Sequence, residues 1–281
     1  ATDDVTDGKW YHLCVSIQRC NSALKVLNIC TLEQVPLRDR RIAEMKVLRA
    51  HYFFELQRMF NLIPWFDETM DNATVQTTPN NQYSREELLE KIAQEIRGSL
   101  DNLPEVQSEV GRVNKYMAKA YLAKVMLYRA YEQNPQTHAV ENINTNSLKE
   151  VVTLCKEIRF SGLYDLFDDF QDLDLVANDN GKECIWDIQF SMHDGSNSAG
   201  RINWSHLLNT PQGPYNGDGF FLPSQDLINA YQTNAEGLPV TNYQNLDDFA
   251  KVTLTGDKAT ISNYDKSVDP RLDFVVGRPN V

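Results

Sequence analysis

Basic residues are in short supply along this chain, with 27 Lys and Arg against 39 Asp and Glu and a formal net charge of -12. Nucleic-acid binding is dominated by basic side chains meeting phosphates, so this balance argues against a nucleic-acid partner. It argues equally against adsorption to an anionic membrane surface. No run of eighteen apolar residues occurs, which leaves no candidate for a helical bilayer span. The opening ATDDVTDGKW has no initiator Met, no basic n-region and no apolar h-region, so any signal peptide is expected to lie outside these residues. Cysteine is sparse and odd in number: Cys14, Cys20, Cys30, Cys155 and Cys184 cannot all pair within the chain. The first three fall on one expected helix, roughly 9 Å or more apart at a helical rise, which is beyond disulfide reach. Buried free thiols are the expectation.

Catalytic and cofactor signatures are equally scarce. There is no C-x-x-C, no H-E-x-x-H among His12, His51, His138, His193 and His206, and no G-x-S-x-G nucleophile elbow. The stretch from Gly195 to Gly200 imitates a phosphate-binding loop. It fails where magnesium and phosphate need it, because Arg201 stands for the lysine and Ile202 for the hydroxyl. Asp165, Asp168, Asp169, Asp172 and Asp174 form an acidic cluster without the alternating spacing of a calcium loop, which reads as a solvated face. The sequence selects no carboxylate pair for glycoside hydrolysis, whose separation is a three-dimensional quantity. No cofactor, no metal and no enzymatic activity are therefore expected.

What is present is helical. Hydrophobic residues at 42% and charged ones at 23% mark an ordinary globular protein, and 281 residues suffice for a substantial core. From Asp39 to Trp65, Ile42, Met45, Leu48, Tyr52, Leu56 and Met59 recur at spacings of three and four, widened by Phe53 and Phe60. Arg41, Glu44, Arg49 and Arg58 fall mostly off that stripe, predicting one buried face and one wet face. Ile63-Pro64 is the expected stop. A preceding helix is predicted from about Trp10 to Ile29, on Leu13, Ile17, Leu24 and Leu27. Residues 67–83 read as an exposed loop. Ser84 with Glu87 makes a capping box for a helix carrying Leu88, Leu89, Ile92, Ile96 and Leu100. Another helix is predicted from Val113 to about Gln133. Ser147 with Glu150 suggests a second capping box, for a helix that Gly162 should terminate. Short and longer gaps alternate between these helices, which suggests stacked antiparallel pairs. Glu183 to Phe190 alternates as a short strand does. The fold class is thus mostly α: stacked helical hairpins over 1–170, with an irregular, partly β portion over 171–281 packed on them in the same domain.

The literal string Ala43-Glu44, Leu48-Arg49-Ala50, Tyr52-Phe53-Phe54, Leu56 and Arg58, ending in Ile63-Pro64, closely resembles the signature helix of the SusD/RagB family. Ile17-Gln18-Arg19 with Asn21 and Leu24 resembles the helix before it. Tyr164-Asp165-Leu166, Leu222-Pro223-Ser224-Gln225-Asp226-Leu227-Ile228 and Asp269-Pro270-Arg271-Leu272 resemble later elements, in order. The family comprises surface-exposed outer-membrane lipoproteins of Bacteroidetes, built on divergent tetratricopeptide-like hairpins. The resemblance implies capture of an oligosaccharide or polysaccharide for a SusC-like TonB-dependent β-barrel transporter. It also implies that family members extend on both sides of this window, and that the lipid anchor lies outside it. Some relatives capture peptides, and a helical-repeat scaffold that binds only proteins is the alternative from another class.

Glycan binding needs aromatic faces for sugar C–H surfaces and polar groups for hydroxyls. Residues 191–221 hold both, with Trp204, Tyr215 and Phe220 as faces and Arg201, Asn203, Asn216 and Asp218 as polar partners. Long loops of this kind are usually functional or disordered. Trp204 and Phe220 have the alternative task of pinning the loop to the helices. Trp65, ending the signature helix, and Trp186, within the expected strand, read as structural.

Overall fold

The computed structural model of the protein describes residues 4–190, 223–256, 258–262 and 266–276. These fall into two compact units, one formed by residues 1–167 and 176–189, the other by residues 168–175 and 190–281.

The first unit is the helical one expected. Helix α1 spans Asp4–Ile29 and α2 spans Arg38–Phe60. Trp10, early in α1, lies edge-on to Phe60 at the end of α2, with ring centroids 4.8 Å apart. At the other end Arg38 Nε donates to the Leu27 carbonyl at 2.9 Å, so the two helices run antiparallel. Helix α2 stops at Phe60, before Ile63-Pro64. Asn61 there takes φ 60° and its N–H bonds the Gln57 carbonyl, which ends the regular ladder earlier than the proline requires.

The stretch expected to be an exposed loop contains a one-and-a-half-turn helix, α3 (Asn72–Thr77), capped by the Asp71 side chain. Phe66, just before that stretch, is buried. Helix α4 (Arg85–Arg97) begins with the predicted capping box, Ser84 accepting from the Glu87 N–H and Glu87 reaching back to the Ser84 backbone. Helix α5 (Lys115–Ala130) runs antiparallel to it, since Arg85 donates to the carbonyls of Tyr128 and Tyr131.

The predicted extension of α5 to Gln133 is instead a strand. Strand β1 (Tyr131–Gln133) pairs antiparallel with β2 (Val140–Ile143). Asn134 Oδ1 accepts from the N–H groups of Gln136 and Thr137, each at 2.9 Å, and so turns the chain where helix was expected. Helix α6 (Thr145–Arg159) then packs antiparallel on α5, with Arg129 bonded to Ser147 and Lys119 paired with Glu157. Its cap is Asn144, whose side chain accepts from the Ser147 N–H, and not the Ser147–Glu150 box. Ser147 receives Arg129, and Glu150 is held by Arg97 at 2.7 Å, so both residues bond a neighbouring helix.

One contiguous core joins these helices through Leu13 and Ile17 of α1, Val47, Phe53 and Phe54 of α2, Leu88 and Ile92 of α4, Leu122 of α5 and Leu154 of α6. Fully burying each large side chain contributes on the order of 1.5–3 kcal/mol. The buried face of α2 differs from the predicted stripe. Ala43, Val47, Ala50, Phe53 and Phe54 are fully buried, whereas Ile42, Met45, Leu48 and Tyr52 are half-buried and Met59 is exposed. The physical reason is that α2 packs against both α1 and α4, so more than one face of it is covered.

Two residues expected on the wet face are buried outright: Glu44 is 1% exposed and Arg49 2%. Arg49 donates to Asn21 at 2.7 Å, to Glu95 at 2.8 Å and to Glu68, which ties α1, α2, α4 and the segment after α2 together. Glu44 accepts from Arg40, Arg41, Arg112 and Gln107. Burial alone would raise the Glu44 pKa; the bonds from Arg41, Gln107 and Arg112 outweigh it and hold the carboxyl below its ordinary value.

Residues 183–190 form no strand. An alternating pattern becomes a strand only with a partner backbone; here Trp186 packs on His51 and Tyr121 instead, while Ile188 is exposed.

The second unit is small. Ser224 caps α7 (Gln225–Ala230), in keeping with the predicted helix start, and β3 (Lys251–Thr255) pairs antiparallel with β4 (Lys258–Ser262). Phe249, Leu272 and Val276 form its core, Leu272 opening the short helix α8 (Leu272–Val275). Asn229 bonds Asp248 and the Phe249 N–H, and the Asp269 N–H bonds the Tyr231 carbonyl, which fastens the Asp-Pro-Arg-Leu turn onto α7.

Candidate functional site

The rings and polar groups singled out in the sequence, Trp204, Tyr215, Phe220, Arg201, Asn203, Asn216 and Asp218, all lie outside the described residues. Of the two tryptophans read as structural, Trp65 is buried and stacked on Phe53, with centroids 4.3 Å apart. Trp186 is different. It is half-buried and sits in no strand, and it walls a cavity of about 340 Å³ in the first unit.

That cavity is built by three elements. Helix α2 contributes His51. Helix α5 contributes Ala120, Tyr121 and Lys124, one turn of a single face. The segment after the acidic cluster contributes Ile185, Trp186 and Ile188. The three rings meet edge-on, His51 to Tyr121 at 5.0 Å, His51 to Trp186 at 5.3 Å and Tyr121 to Trp186 at 5.6 Å between centroids. Such aromatic packing is favourable beyond the area it buries.

Tyr121 donates its hydroxyl to Glu55 at 3.0 Å. Burial, reinforced by the Glu55 charge, pushes the phenol far up, so it stays protonated. The Lys124 ammonium stands 4.0 Å from Glu55 at the mouth. Burial lowers the His51 pKa below its ordinary value and keeps the imidazole neutral at pH 7.

A second cavity, of about 470 Å³, lies between the segment before α5 and the segment after α6, and includes Arg112, Tyr164, Cys184 and Asp187. Cys184 is no nucleophile there. Its thiol donates to Asp187 at 2.7 Å, and burial together with that carboxylate pushes its pKa up to about 12. Of the other thiols, Cys20 is buried, Cys14 and Cys30 are half-buried and Cys155 is exposed, so the expectation of buried thiols holds fully only for Cys20.

Glu68 and Glu95, both paired with Arg49, have opposite shifts. Burial raises Glu95, whereas at Glu68 burial is outweighed by the Arg49 bond, a backbone bond and the Arg49 charge acting together, which lower it. Divergent carboxylates can mark an acid–base pair. Here both are bound to Arg49 and neither lines one of the cavities, so they serve the fold. Among the described residues no three His, Cys, Asp or Glu gather to hold a metal, and no helix is long and apolar enough to cross a membrane.

The cavity at His51 was missed because its members lie far apart in sequence. The only local signal was a polar ring within an apolar aromatic run, Arg49-Ala50-His51-Tyr52-Phe53-Phe54.

No family model matches the chain. A SusD-like protein of Bacteroides ovatus is 27% identical over 193 residues, covering 68% of this chain and 34% of that protein. The chain thus spans about a third of that relative's length. A SusD-like protein from Bacteroides fragilis superposes with a TM-score of 0.65 at 22% identity, covering 89% of this chain and 44% of that one. Surface glycan-binding protein A from Bacteroides thetaiotaomicron, in complex with laminarihexaose, superposes with a TM-score of 0.52 at 19% identity, covering 65% of this chain and 35% of that one. In sequence the chain is similar to a SusD-like protein, and it shares the fold of SusD-like structures.

Proposed function

We propose that this protein captures oligosaccharides at the bacterial cell surface and delivers them to a SusC-like TonB-dependent transporter in the outer membrane, without cleaving them. The observation that carries the reading is the likeness to a SusD-like protein over 193 residues, together with a fold shared with a glycan-binding protein held in complex with laminarihexaose. The chemistry of the described residues is consistent with binding: Cys184 and Tyr121 stay protonated, and His51 has no nucleophile to activate among the residues it packs against. Attachment to the membrane, in this proposal, is by a lipid anchor outside these residues.

The proposed platform is Trp204, Tyr215 and Phe220, with Arg201, Asn203, Asn216 and Asp218 meeting sugar hydroxyls. Calorimetric titration against a panel of soluble polysaccharides that includes laminarin tests the reading, with saturable binding to at least one as the expected result. Trp204→Ala should then weaken binding by about 1–3 kcal/mol, the scale of an aromatic face losing its buried area, with little change in Tm. No binding across the panel defeats the proposal. Release of reducing ends above the protein-free control would point to a hydrolase instead.

A further inference from the structure

Asn180 and Gly181 line the 470 Å³ cavity and are the only Asn-Gly pair among the described residues. The turn allows few other residues at these positions. Asn180 is exposed and takes φ 57°, a left-handed conformation that Asn tolerates better than most side chains. A Cβ on Gly181 would stand 2.7 Å from the Asn178 carbonyl oxygen and 3.0 Å from the Phe167 ring, so glycine is required there.

Asparagine is a thermolabile residue, and a following glycine leaves it most open to reaction because no Cβ shields the next backbone nitrogen. The Gly181 nitrogen, giving up its proton, attacks Cγ of Asn180. A new C–N bond closes a succinimide as the Cγ–Nδ2 bond breaks, and ammonia leaves with the proton. Water then opens the ring at either carbonyl, which leaves aspartate or isoaspartate at position 180. Water is the only other reactant.

Two contacts restrain this step. The Gly181 N–H donates to the Asn178 carbonyl at 2.8 Å. The Asn180 carboxamide is held in a reciprocal pair, with Gln189 Nε2 donating to Asn180 Oδ1 at 2.7 Å and Asn180 Nδ2 donating to Gln189 Oε1 at 3.2 Å. The Gln189 stem is packed on Gly111 so closely that a Cβ there would meet its Cγ at 2.8 Å.

We infer that Asn180 is a site of spontaneous deamidation and that Gln189 sets its rate by restraining the carboxamide. Reaction requires this pair to open. The product also prevents it from reforming, since a carboxylate has no N–H for Gln189 Oε1. Isoaspartate further inserts a methylene into the main chain beside a residue with no room for a Cβ. The cavity rim gains a negative charge and a changed turn. None of this depends on glycan capture.

The test is prolonged incubation of the folded protein at neutral pH and body temperature, followed by peptide mapping by mass spectrometry and enzymatic methylation to detect isoaspartate. Wild type should accumulate aspartate and isoaspartate at 180, more slowly than the same chain in urea. Gln189→Met keeps the stem and removes the amide. With unchanged circular dichroism it should react about three- to tenfold faster than wild type, the factor that one hydrogen bond of ordinary net strength makes. In urea the two chains should react at one rate. If Gln189→Met fails to fold, Gln189→Glu, which keeps the acceptor and loses the donor, should react at a rate between folded wild type and urea. Folded wild type with no product at 180 once the urea sample has converted overturns the site. A folded Gln189 variant no faster than wild type overturns the restraint.

Discussion

Arg49 has its guanidinium enclosed by side chains from three other parts of the chain, Asn21, Glu68 and Glu95. A planar fork with several donors can meet all three at once, which a lysine ammonium on a flexible stem cannot. Arg49→Ala leaves two carboxylates facing each other in a poorly hydrated site, and should cost about 3–5 kcal/mol in urea unfolding. Arg49→Lys should recover only part of that. A loss below about 1 kcal/mol for the alanine variant would mean that water reaches the carboxylates freely. His51 supplies a pH signature. Its folded pKa lies below the ordinary 6.5 because it is buried, so the unfolded chain takes up the proton first as pH falls. The stability gained by keeping it neutral is present above 6.5 and is lost as pH drops toward the folded pKa. His51→Gln should therefore flatten the fall in Tm between about pH 6.5 and 5. Glu44 and Glu55 act in a separate window. At both, favourable bonds outweigh burial and place the pKa below 4.5, so their contribution is present above that value and lost below it. Equal slopes for wild type and His51→Gln between pH 6.5 and 5 would remove His51 from this account.

At the scale of elements, helix ends show what local sequence can and cannot specify. Ser84 and Glu87 make a capping box because α4 starts beside an open turn, where both side chains are free to fold back. Ser147 and Glu150 have the same spacing, yet α5 and α4 draw them away through Arg129 and Arg97. Asn144 caps α6 in their place and also donates to Glu132 at 3.0 Å, joining the helix to the β1–β2 hairpin. Asn144→Ala should cost about 1–2 kcal/mol and Ser84→Ala about 1 kcal/mol in thermal unfolding, the usual range for a lost cap. An Asn144→Ala protein as stable as wild type would place the functional cap elsewhere. The same competition explains residues 183–190, whose alternation predicts a strand. With no neighbouring strand to complete a ladder, Trp186 packs onto His51 and Tyr121.

For the whole molecule, stacked helical hairpins expose extended surfaces that can serve two partners at once, substrate and transporter. If delivery to a TonB-dependent barrel is its task, the intact protein should co-purify with a large outer-membrane barrel after mild-detergent extraction of its native membrane. Recovery of free monomer alone would instead favour an independent binding protein. The net charge of -12 suits a polar contact that can open and close, because interfaces that separate are less apolar than permanent ones.

The sequence by itself determined helices α1, α2, α4, α5 and α6, their antiparallel order, the cap at Ser84 and the family likeness, because each depends on neighbours within a few residues or on a string read in order. Which face of α2 is buried was not among these. Periodicity locates a side chain around the helix axis, but burial depends on how many elements surround that axis, and α2 is flanked on two sides. Arg49 and Glu44 therefore pass from predicted wet face to core, where each is balanced by opposite charges brought in from distant segments. The cavity joining His51, Tyr121 and Trp186 was likewise decided only by tertiary structure, since no local pattern encodes the meeting of α2, α5 and a strandless segment far along the chain.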